Sequence, residues 1–179
     1  MIRIIGSVHR TFIFPAPLES AFEFYADIER TLGFLTHISL VQRRSDRQYR
    51  MLYHTSELGV YRIKMYCDID VQLDRQARVL RITPSTGIPP VAQEIGVYSL
   101  SAQGTYSSQS VFTPMQDQTQ IDYQLNLNAS MPVPYGVRFM PGSVLNSIAH
   151  GITEWRMHEI AEGFIERSIR YYTSKSKAQ

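Results

Sequence analysis

The stretch "FIFPAPLESAFEFYADIER" (12–30) decides how the chain is organised, because it changes from a strand pattern to a helix pattern within a few residues. The segment 8–14 is rich in β-forming residues and ends at Pro15, which has no N–H to donate to a ladder. The apolar residues that follow recur at helical spacing, and Asp27 is placed to cap a second short turn. We therefore predict a first strand and then two short helices over 17–35.

Alternating apolar and polar residues dominate the next hundred positions. The clearest example, "YRIKMYCDIDVQL" (61–73), has one apolar and one wet face, and 119–131 repeats the pattern. On the apolar face we expect the following residues to be inaccessible to solvent: Ile63, Met65, Cys67, Ile69 and Val71. On the other face we expect Lys64, Asp68 and Asp70 to lie in water. Further strands are predicted at 36–44, 48–58, 78–84 and 104–115. Short turns between neighbouring strands predict an antiparallel meander.

The carboxyl third reads as one long helix from about Ser143 to Tyr172. Its apolar stripe comprises Leu145, Ile148, Ile152, Trp155, Ile160, Phe164 and Ile169. We expect Trp155 to pack against the sheet. The predicted fold class is thus α+β, with an antiparallel sheet of about seven strands and a long C-terminal helix. The predicted organisation is a single domain over 1–173 and a polar tail over 174–179.

Composition and charge narrow the class of protein. With 44% hydrophobic residues in 179 positions, the chain can bury one core, and its net charge of +2 without a long charge run gives no reason to expect a nucleic-acid partner. The single cysteine, Cys67, excludes an internal disulfide. The first 14 residues lack the apolar core of a signal peptide. We expect a cytoplasmic protein that can associate peripherally with a membrane.

The order of predicted elements and the opening stretch resemble START/Bet v 1-like proteins of the SRPBCC superfamily. In that superfamily a first strand is followed by an apolar-Pro-x-Glu-x-Ala/Val-Phe-x-apolar pattern, which "FPAPLESAFEF" (14–24) approaches. In addition, "MPVPYGVRFMPGSVLNSIAHGI" (131–152) resembles a branch of unknown function in cyanobacteria and plastids. The resemblance implies a helix-grip fold, in which a curved antiparallel sheet of about seven strands wraps around the long C-terminal helix. The cavity between sheet and helix in such relatives commonly takes lipids, sterols, polyketides or other hydrophobic small molecules.

Two long loops, 84–103 and 131–141, are unusually apolar and rich in proline. In a meander they should lie at the same end of the sheet as the turn near residue 59. Either they form the rim of a cavity mouth, or they fold over the sheet end as a plug that completes the core. Prolines stiffen both ends of 131–141 while glycines permit movement, which favours a mobile lip.

Candidate ligand-binding residues lie on the strands, in the 131–141 loop and on the long helix. Tyrosines are frequent among them because a phenol offers both apolar area and a polar handle. The predicted set is Tyr49, Met51, Tyr53, Ile63, Met65, Arg81, Tyr106, Tyr123, Tyr135, Arg138, Phe139, Ile152 and Trp155.

The two arginines of this set have two interpretations each. If Arg81 faces inward with Val79 and Thr83, it is a buried cation that needs a carboxylate partner or an anionic head group. If Leu80 and Ile82 face inward instead, Arg81 is an ordinary exposed residue. Arg138 in the 131–141 loop has the same ambiguity, and a cation there suits an acidic ligand or an anionic membrane surface.

No catalytic, metal or cofactor site is predicted. His37, His54, His150 and His158 are too scattered for a zinc signature. Glu57 near the rim is a candidate base or a solvated strand end, and Cys67 on an apolar strand face reads as a buried thiol rather than a nucleophile.

Three functions follow as hypotheses. The first is binding or transport of a hydrophobic or amphipathic small molecule of the lipid, pigment or isoprenoid class, with transient contact to a membrane or a protein partner. The second is a cyclase or dehydratase that uses the same cavity. The third is an assembly or scaffold factor that docks a partner through its apolar rim.

Overall fold

A computed structural model describes residues 1–176 of the chain, in which one curved sheet lies against a long C-terminal helix. The elements in chain order are β1 (Ile2–Phe14), α1 (Leu18–Ala26), α2 (Ile28–Leu32), β2 (Ile38–Arg43), β3 (Gln48–Glu57), β4 (Tyr61–Asp74), β5 (Val79–Pro84), β6 (Glu94–Ile95), β7 (Ser99–Met115), β8 (Gln118–Met131) and α3 (Gly142–Ser176). The predicted α+β class, with short helices after the first strand and a long terminal helix, is confirmed.

The boundary between the two short helices agrees with the sequence. The side chain of Asp27 accepts a hydrogen bond of 3.1 Å from the backbone N–H of Arg30 and so caps α2. At the other end of the chain α3 continues to Ser176, so the first part of the predicted polar tail belongs to the helix. The remainder of that tail, 177–179, lies outside the described residues.

The strands follow the order β1-β8-β7-β5-β4-β3-β2, and nearly all neighbours are antiparallel. The prediction of a wholly antiparallel meander is wrong at one place. Because β5 has only six residues, β4 and β7 meet beyond its end and pair in parallel from Arg62–Ser99 to Cys67–Gly104. Direct pairing gives the backbone groups of both strands the partners that β5 is too short to supply. The strand predicted from 104 therefore begins at Ser99, and part of the predicted 84–103 loop belongs to the sheet.

α3 packs on the sheet through a face that overlaps the predicted stripe only in part. Its buried residues are Leu145, Thr153, Met157, Ala161, Phe164 and Ser168, which include several small side chains. Small residues let the helix approach the sheet closely, and a Cβ added at Gly6 of β1 would collide with the sulfur of Met157. Trp155 is 58% exposed, so the prediction that it packs against the sheet is wrong.

Aromatic side chains hold the carboxyl end of α3. Phe14 is fully buried, and its ring centroid lies 5.1 Å from Phe24, 5.1 Å from Tyr25 and 4.9 Å from Tyr172. The phenol of Tyr25 shares a hydrogen bond of 2.8 Å with Ser168, and burial raises its pKa. This cluster joins β1, α1 and α3 at one end of the molecule.

The segment 85–98 is a strap over the outer face of β3, β4 and β7. Beneath it, Asp68 accepts hydrogen bonds from Arg50 at 2.7 and 2.8 Å and from Gln103 at 2.9 Å, and Arg50 also donates to the carbonyl of Pro89 at 2.8 Å. Burial alone would raise the pKa of Asp68, but the hydrogen bonds from Arg50 and Gln103 outweigh it and lower the pKa. The expectation that Asp68 lies in water is wrong, since the strap leaves it only 5% exposed.

Candidate functional site

A cavity of about 90 Å³ lies between the sheet and the first half of α3. Its wall consists almost entirely of apolar side chains contributed by β1, β2, β3, β4, β7, β8 and α3. Four of the seven methionines of the chain take part, namely Met51, Met65, Met131 and Met157. Unbranched, polarisable methionine side chains fill irregular spaces and change rotamer readily.

Strand register explains why these side chains meet. Met51 lies opposite Cys67 and Tyr53 lies opposite Met65, so the inward faces of β3 and β4 form a continuous wall. Gly104 of β7 leaves the space that Met65 occupies, because a Cβ there would lie 2.6 Å from the methionine sulfur.

The helix supplies the opposite wall. Ile152, Arg156 and Ile160 line the cavity at intervals of four residues, which places them on one face of α3. Thr153 also lines it, and its hydroxyl donates to the carbonyl of Ala149 at 2.7 Å. The helical wall is therefore apolar except at Arg156.

A buried ion pair forms one corner of the cavity. Arg156 Nε donates to Glu57 Oε1 at 2.8 Å, a second guanidinium nitrogen lies 3.3 Å from Oε2, and Glu57 is only 6% exposed. Tyr53 donates its phenol proton to Glu57 at 3.3 Å, and Arg156 also donates to Glu159 at 2.6 Å. A fifth side chain, His37, lies 3.3 Å from Arg156. The corner thus joins the end of β3 to the middle of α3.

The environment of this corner favours a charged Arg156 and a neutral Tyr53. The hydrogen bond to Glu57 is the main reason that the pKa of Arg156 is raised, and burial works against it. Burial raises the pKa of Tyr53, and the negative charge of Glu57 raises it further. Tyr53 therefore stays a neutral hydrogen-bond donor, and the corner presents a closed, satisfied network rather than a free charge.

A pair of phenols lies deeper in the core. The hydroxyls of Tyr106 and Tyr123 are 3.3 Å apart, and burial is the main reason that the pKa of each is raised. Tyr106 lines the main cavity, whereas both tyrosines border a second space of about 30 Å³ towards α1. Both phenols remain protonated at neutral pH.

Cys67 also lines the cavity. Its thiol is buried, and burial raises its pKa to about 12. The thiol therefore stays protonated at neutral pH and is a poor nucleophile. Among residues 1–176, no three His, Cys, Asp or Glu side chains come together in a way that could hold a metal ion.

Six of the predicted ligand-binding residues come together in the cavity wall: Met51, Tyr53, Ile63, Met65, Tyr106 and Ile152. Four others on the strands and the helix do not, and one of them, Tyr123, lines only the smaller space behind Tyr106. The phenol of Tyr49 donates to the carbonyl of Asp46 at 3.0 Å, Arg81 bonds Gln109 at 3.2 Å, and Trp155 points away with its ring 4.3 Å from the Arg156 guanidinium. Because Leu80 and Ile82 take the inward positions of β5, the interpretation of Arg81 as a buried cation is wrong.

The three predicted residues of the 131–141 loop lie at the surface. Tyr135 and Phe139 are both exposed, and the guanidinium of Arg138 lies 4.1 Å from the centre of the Tyr135 ring. The hypothesis that these aromatic rings plug the core is therefore wrong. The loop does meet the strap and the start of β4, as expected for segments at one end of a sheet.

Sequence reasoning missed the partner of Glu57. Glu57 itself was considered, but only as a candidate base or a solvated strand end, whereas it is buried and paired with Arg156. A signal for Arg156 existed, because it follows Ile152 by four residues and precedes Ile160 by four. A cation at that position of an apolar stripe needs a buried anion nearby.

Similar folds occur among solved structures, although no protein-family model matches the chain and no curated protein matches it either. A conserved protein from Geobacillus kaustophilus is 12% identical with a TM-score of 0.57, and the match covers 97% of this chain and 97% of that one. A protein from Thermus thermophilus is 18% identical with a TM-score of 0.54, covering 93% and 99%. The Zhui aromatase/cyclase from Streptomyces sp. R1128 is 13% identical with a TM-score of 0.51, covering 97% and 94%.

These likenesses concern the fold. They extend over nearly the whole length of each chain. The predicted relation to the cyanobacterial and plastid branch is not tested by them and stays a prediction. None of the helices in residues 1–176 is long and apolar enough to span a membrane. From its topology and these matches, the chain has the fold that its sequence predicts, a helix-grip fold in which a curved antiparallel sheet lies against a long C-terminal helix.

Proposed function

We propose that the chain binds a hydrophobic or amphipathic small molecule of the lipid, pigment or isoprenoid class in the cavity between the sheet and α3. The observation that carries the proposal is the distribution of polarity in the wall. Apolar side chains surround the space, and its charged groups, Glu57 and Arg156, are gathered at one corner. Small-molecule sites have this composition, in which apolar area supplies affinity and a few polar groups fix orientation.

The size of the cavity defines how binding must occur. Pockets for drug-sized ligands measure roughly 300–1,000 Å³, so a space of about 90 Å³ has to widen before it holds such a molecule. Met65 and Met157 fill the space left by Gly104 and Gly6. Rotation of these two flexible side chains enlarges the cavity without moving the backbone. The ligand then replaces methionine contacts with its own.

The polar groups at the corner of the cavity determine which hydrophobic ligands bind best. Glu57, Tyr53 and Arg156 already satisfy one another, so a purely apolar ligand leaves the corner undisturbed. A ligand with one hydroxyl or carbonyl group can exchange hydrogen bonds with Tyr53 or Arg156 while the rest of the molecule stays in the apolar part. A ligand with several polar groups would leave some of them buried and unpaired.

Native mass spectrometry of the protein after exposure to extracted lipids and pigments tests the proposal. We expect the wild-type protein to retain a small molecule, and Ile152→Trp to lose it because the indole fills the cavity. Ile148→Trp is the matched control, since it lies one turn earlier on an exposed part of α3. Equal retention by both variants, or no retention by the wild-type protein, would contradict the proposal.

No specific observation favours the cyclase or dehydratase alternative. The polar groups of the cavity pair with one another, Tyr106 with Tyr123 and Glu57 with Arg156. The likeness to an aromatase/cyclase concerns the fold, and fold alone does not carry an activity.

A further inference from the structure

Three segments at one end of the molecule display large apolar side chains. We call this set the apolar rim; it comprises Leu58, Val60, Val97, Tyr98, Tyr135 and Phe139, with exposures between 49% and 84%. Scattered exposed apolar residues are normal, but a contiguous group beside a cavity marks an interaction surface.

Contacts between the three segments show that the rim is one surface. The rings of Tyr61 and Tyr98 lie 5.6 Å apart at their centroids. Gly136 N–H donates to the carbonyl of Val97 at 3.2 Å, and Arg62 N–H donates to the carbonyl of Tyr98 at 2.8 Å. The β3–β4 turn, the strap and the loop after β8 are therefore held together by backbone hydrogen bonds.

The turn between β3 and β4 presents an apolar side chain in an unfavourable conformation. Leu58 has φ 51°, a left-handed value that branched side chains rarely adopt, and it is 67% exposed. Glycine or asparagine would suit that position better. Leu58 therefore gains no stabilisation from burial within the chain. Its side chain is available to contact an apolar partner.

Cations flank the rim without carboxylate partners. Within residues 1–176, Arg62, Lys64 and Arg138 have no carboxylate oxygen within 4.0 Å, whereas Arg43 and Arg78 at the opposite end of the sheet each pair with an acid. The three rim segments, 58–64, 85–98 and 131–141, contain a single acidic residue, Glu94. The surface around the rim thus carries uncompensated positive charge.

A groove beside the rim concentrates this charge. It is lined by Arg62, Lys64, His37, His54, Thr55 and Ser56, together with Ile63 and Arg156. Arginine and lysine side chains, with hydroxyls between them, are the donors that bind phosphate groups. The groove is therefore complementary to an anionic head group.

We infer that this end of the chain docks onto a bilayer surface that contains anionic phospholipid. The apolar rim enters the boundary between head groups and acyl chains, where tyrosine side chains are favoured, and the flanking cations meet the lipid phosphates. Each basic residue near an anionic surface strengthens such binding, and the effect weakens as salt rises. The inference goes beyond ligand binding, because it depends on the rim and not on the cavity.

Sedimentation with vesicles tests the inference. We expect binding to vesicles of phosphatidylcholine mixed with phosphatidylserine, weaker binding to phosphatidylcholine alone, and a loss of binding as salt is added. The variant Arg62→Gln/Arg138→Gln should lose roughly fivefold in affinity per removed charge. Arg44→Gln/Arg81→Gln is the matched control, since these arginines also lack a carboxylate within 4.0 Å in the described residues but lie away from the rim.

Removal of apolar area gives a second, independent comparison. Tyr135→Ser/Phe139→Ser should lower affinity for mixed vesicles by roughly tenfold or more, because both rings leave water on docking. Leu73→Ser/Met115→Ser removes exposed apolar side chains elsewhere and should change nothing. Circular dichroism of each variant checks that it is folded. The salt dependence of vesicle binding is measured on the wild-type protein and so does not depend on the folding of any variant.

Several results would overturn the inference. These are absent binding to mixed vesicles, equal binding to both vesicle types, or rim variants that behave like their controls. A rim-dependent dimer in analytical ultracentrifugation that fails to bind vesicles would assign the surface to a second copy of the chain instead. The cavity variant Ile152→Trp should still bind vesicles, which separates this inference from the proposed function.

Discussion

The two halves of the core between the sheet and α3 are built from different side chains. One half is aromatic and consists of Phe14, Phe24, Tyr25, Phe34, Tyr171 and Tyr172. The other half is lined by Met51, Met65, Met131 and Met157 around the cavity. Aromatic rings offer large, rigid contact areas, whereas methionine adapts its shape to what it meets. The comparison indicates that stability is concentrated at one end of the fold and adaptability at the other.

The charged side chains at the surfaces of the two ends also differ. At the aromatic end, Arg43 and Arg78 each pair with a carboxylate at the surface. At the methionine end Glu57 and Arg156 are buried as a pair, and Arg62, Lys64 and Arg138 around the rim have no carboxylate oxygen within 4.0 Å in the described residues. Arg44 and Arg81, away from the rim, also lack one there, so the methionine end differs in having unpaired cations beside the apolar rim.

The largest effect is expected for a truncation at the aromatic end. Phe14→Ala should lower the free energy of unfolding by about 3–5 kcal/mol, because it opens a cavity among rings that cannot rearrange. Trp155→Ala, at the exposed surface of α3, should cost less than about 1 kcal/mol despite its contact with Arg156. Urea unfolding of both variants measures the difference, and similar losses would break the comparison between the two ends.

Removal of one partner of the buried ion pair should have the next largest effect. Arg156→Met leaves Glu57 buried without its cation, and we expect a loss of about 3 kcal/mol in the free energy of unfolding. Because an apolar pair of similar volume needs no compensation, Glu57→Leu/Arg156→Met should recover most of that loss. If the losses of the two single substitutions simply add in the double variant, the pair does not act as a unit.

A smaller effect is expected in the pH dependence of the free energy of unfolding, through Asp68 on the outer face of the sheet. The pKa of Asp68 is lowered in the folded state, so its contribution to stability is fully present above the unfolded pKa of about 3.9 and is lost as pH falls through the folded value. Asp68→Asn should therefore flatten the acid-induced decline in unfolding free energy. Glu23→Gln is the control, since Glu23 belongs to an exposed ion pair that solvent screens. An equal change in both variants would show that Asp68 has no special role.

Much of the fold could be predicted from local patterns. The alternation in 61–73 and 119–131 and the break at Pro15 indicated the strands, and helical spacing indicated α3. The position of the strap could not be predicted in this way, because it depends on β5 ending early and on β4 pairing with β7. Asp68 was expected in water for that reason, since alternation shows which face a residue occupies but not what covers that face.

The cavity was predictable only in part. The inward tyrosines and methionines of β3 and β4 followed from alternation, and Ile152 followed from helical spacing. Trp155 was misassigned because it was counted in a broad apolar stripe, whereas α3 packs partly through small residues such as Ala161 and Ser168. The pairing of Glu57 with Arg156 joins residues 99 positions apart, so helical spacing can place Arg156 on the cavity side of α3 but cannot identify the anion that it meets.

Methyl-labelled methionine gives the most direct test of the central claim that the methionine half is an adaptable ligand site. Seven methyl signals are expected in a carbon–proton spectrum, and a long-chain fatty alcohol serves as the probe. We predict that Met51, Met65, Met131 and Met157 shift on addition of the probe, while Met1, Met115 and Met140 stay in place because they do not line the cavity. Shifts confined to Met1, Met115 and Met140, or no shifts at all, would contradict the account.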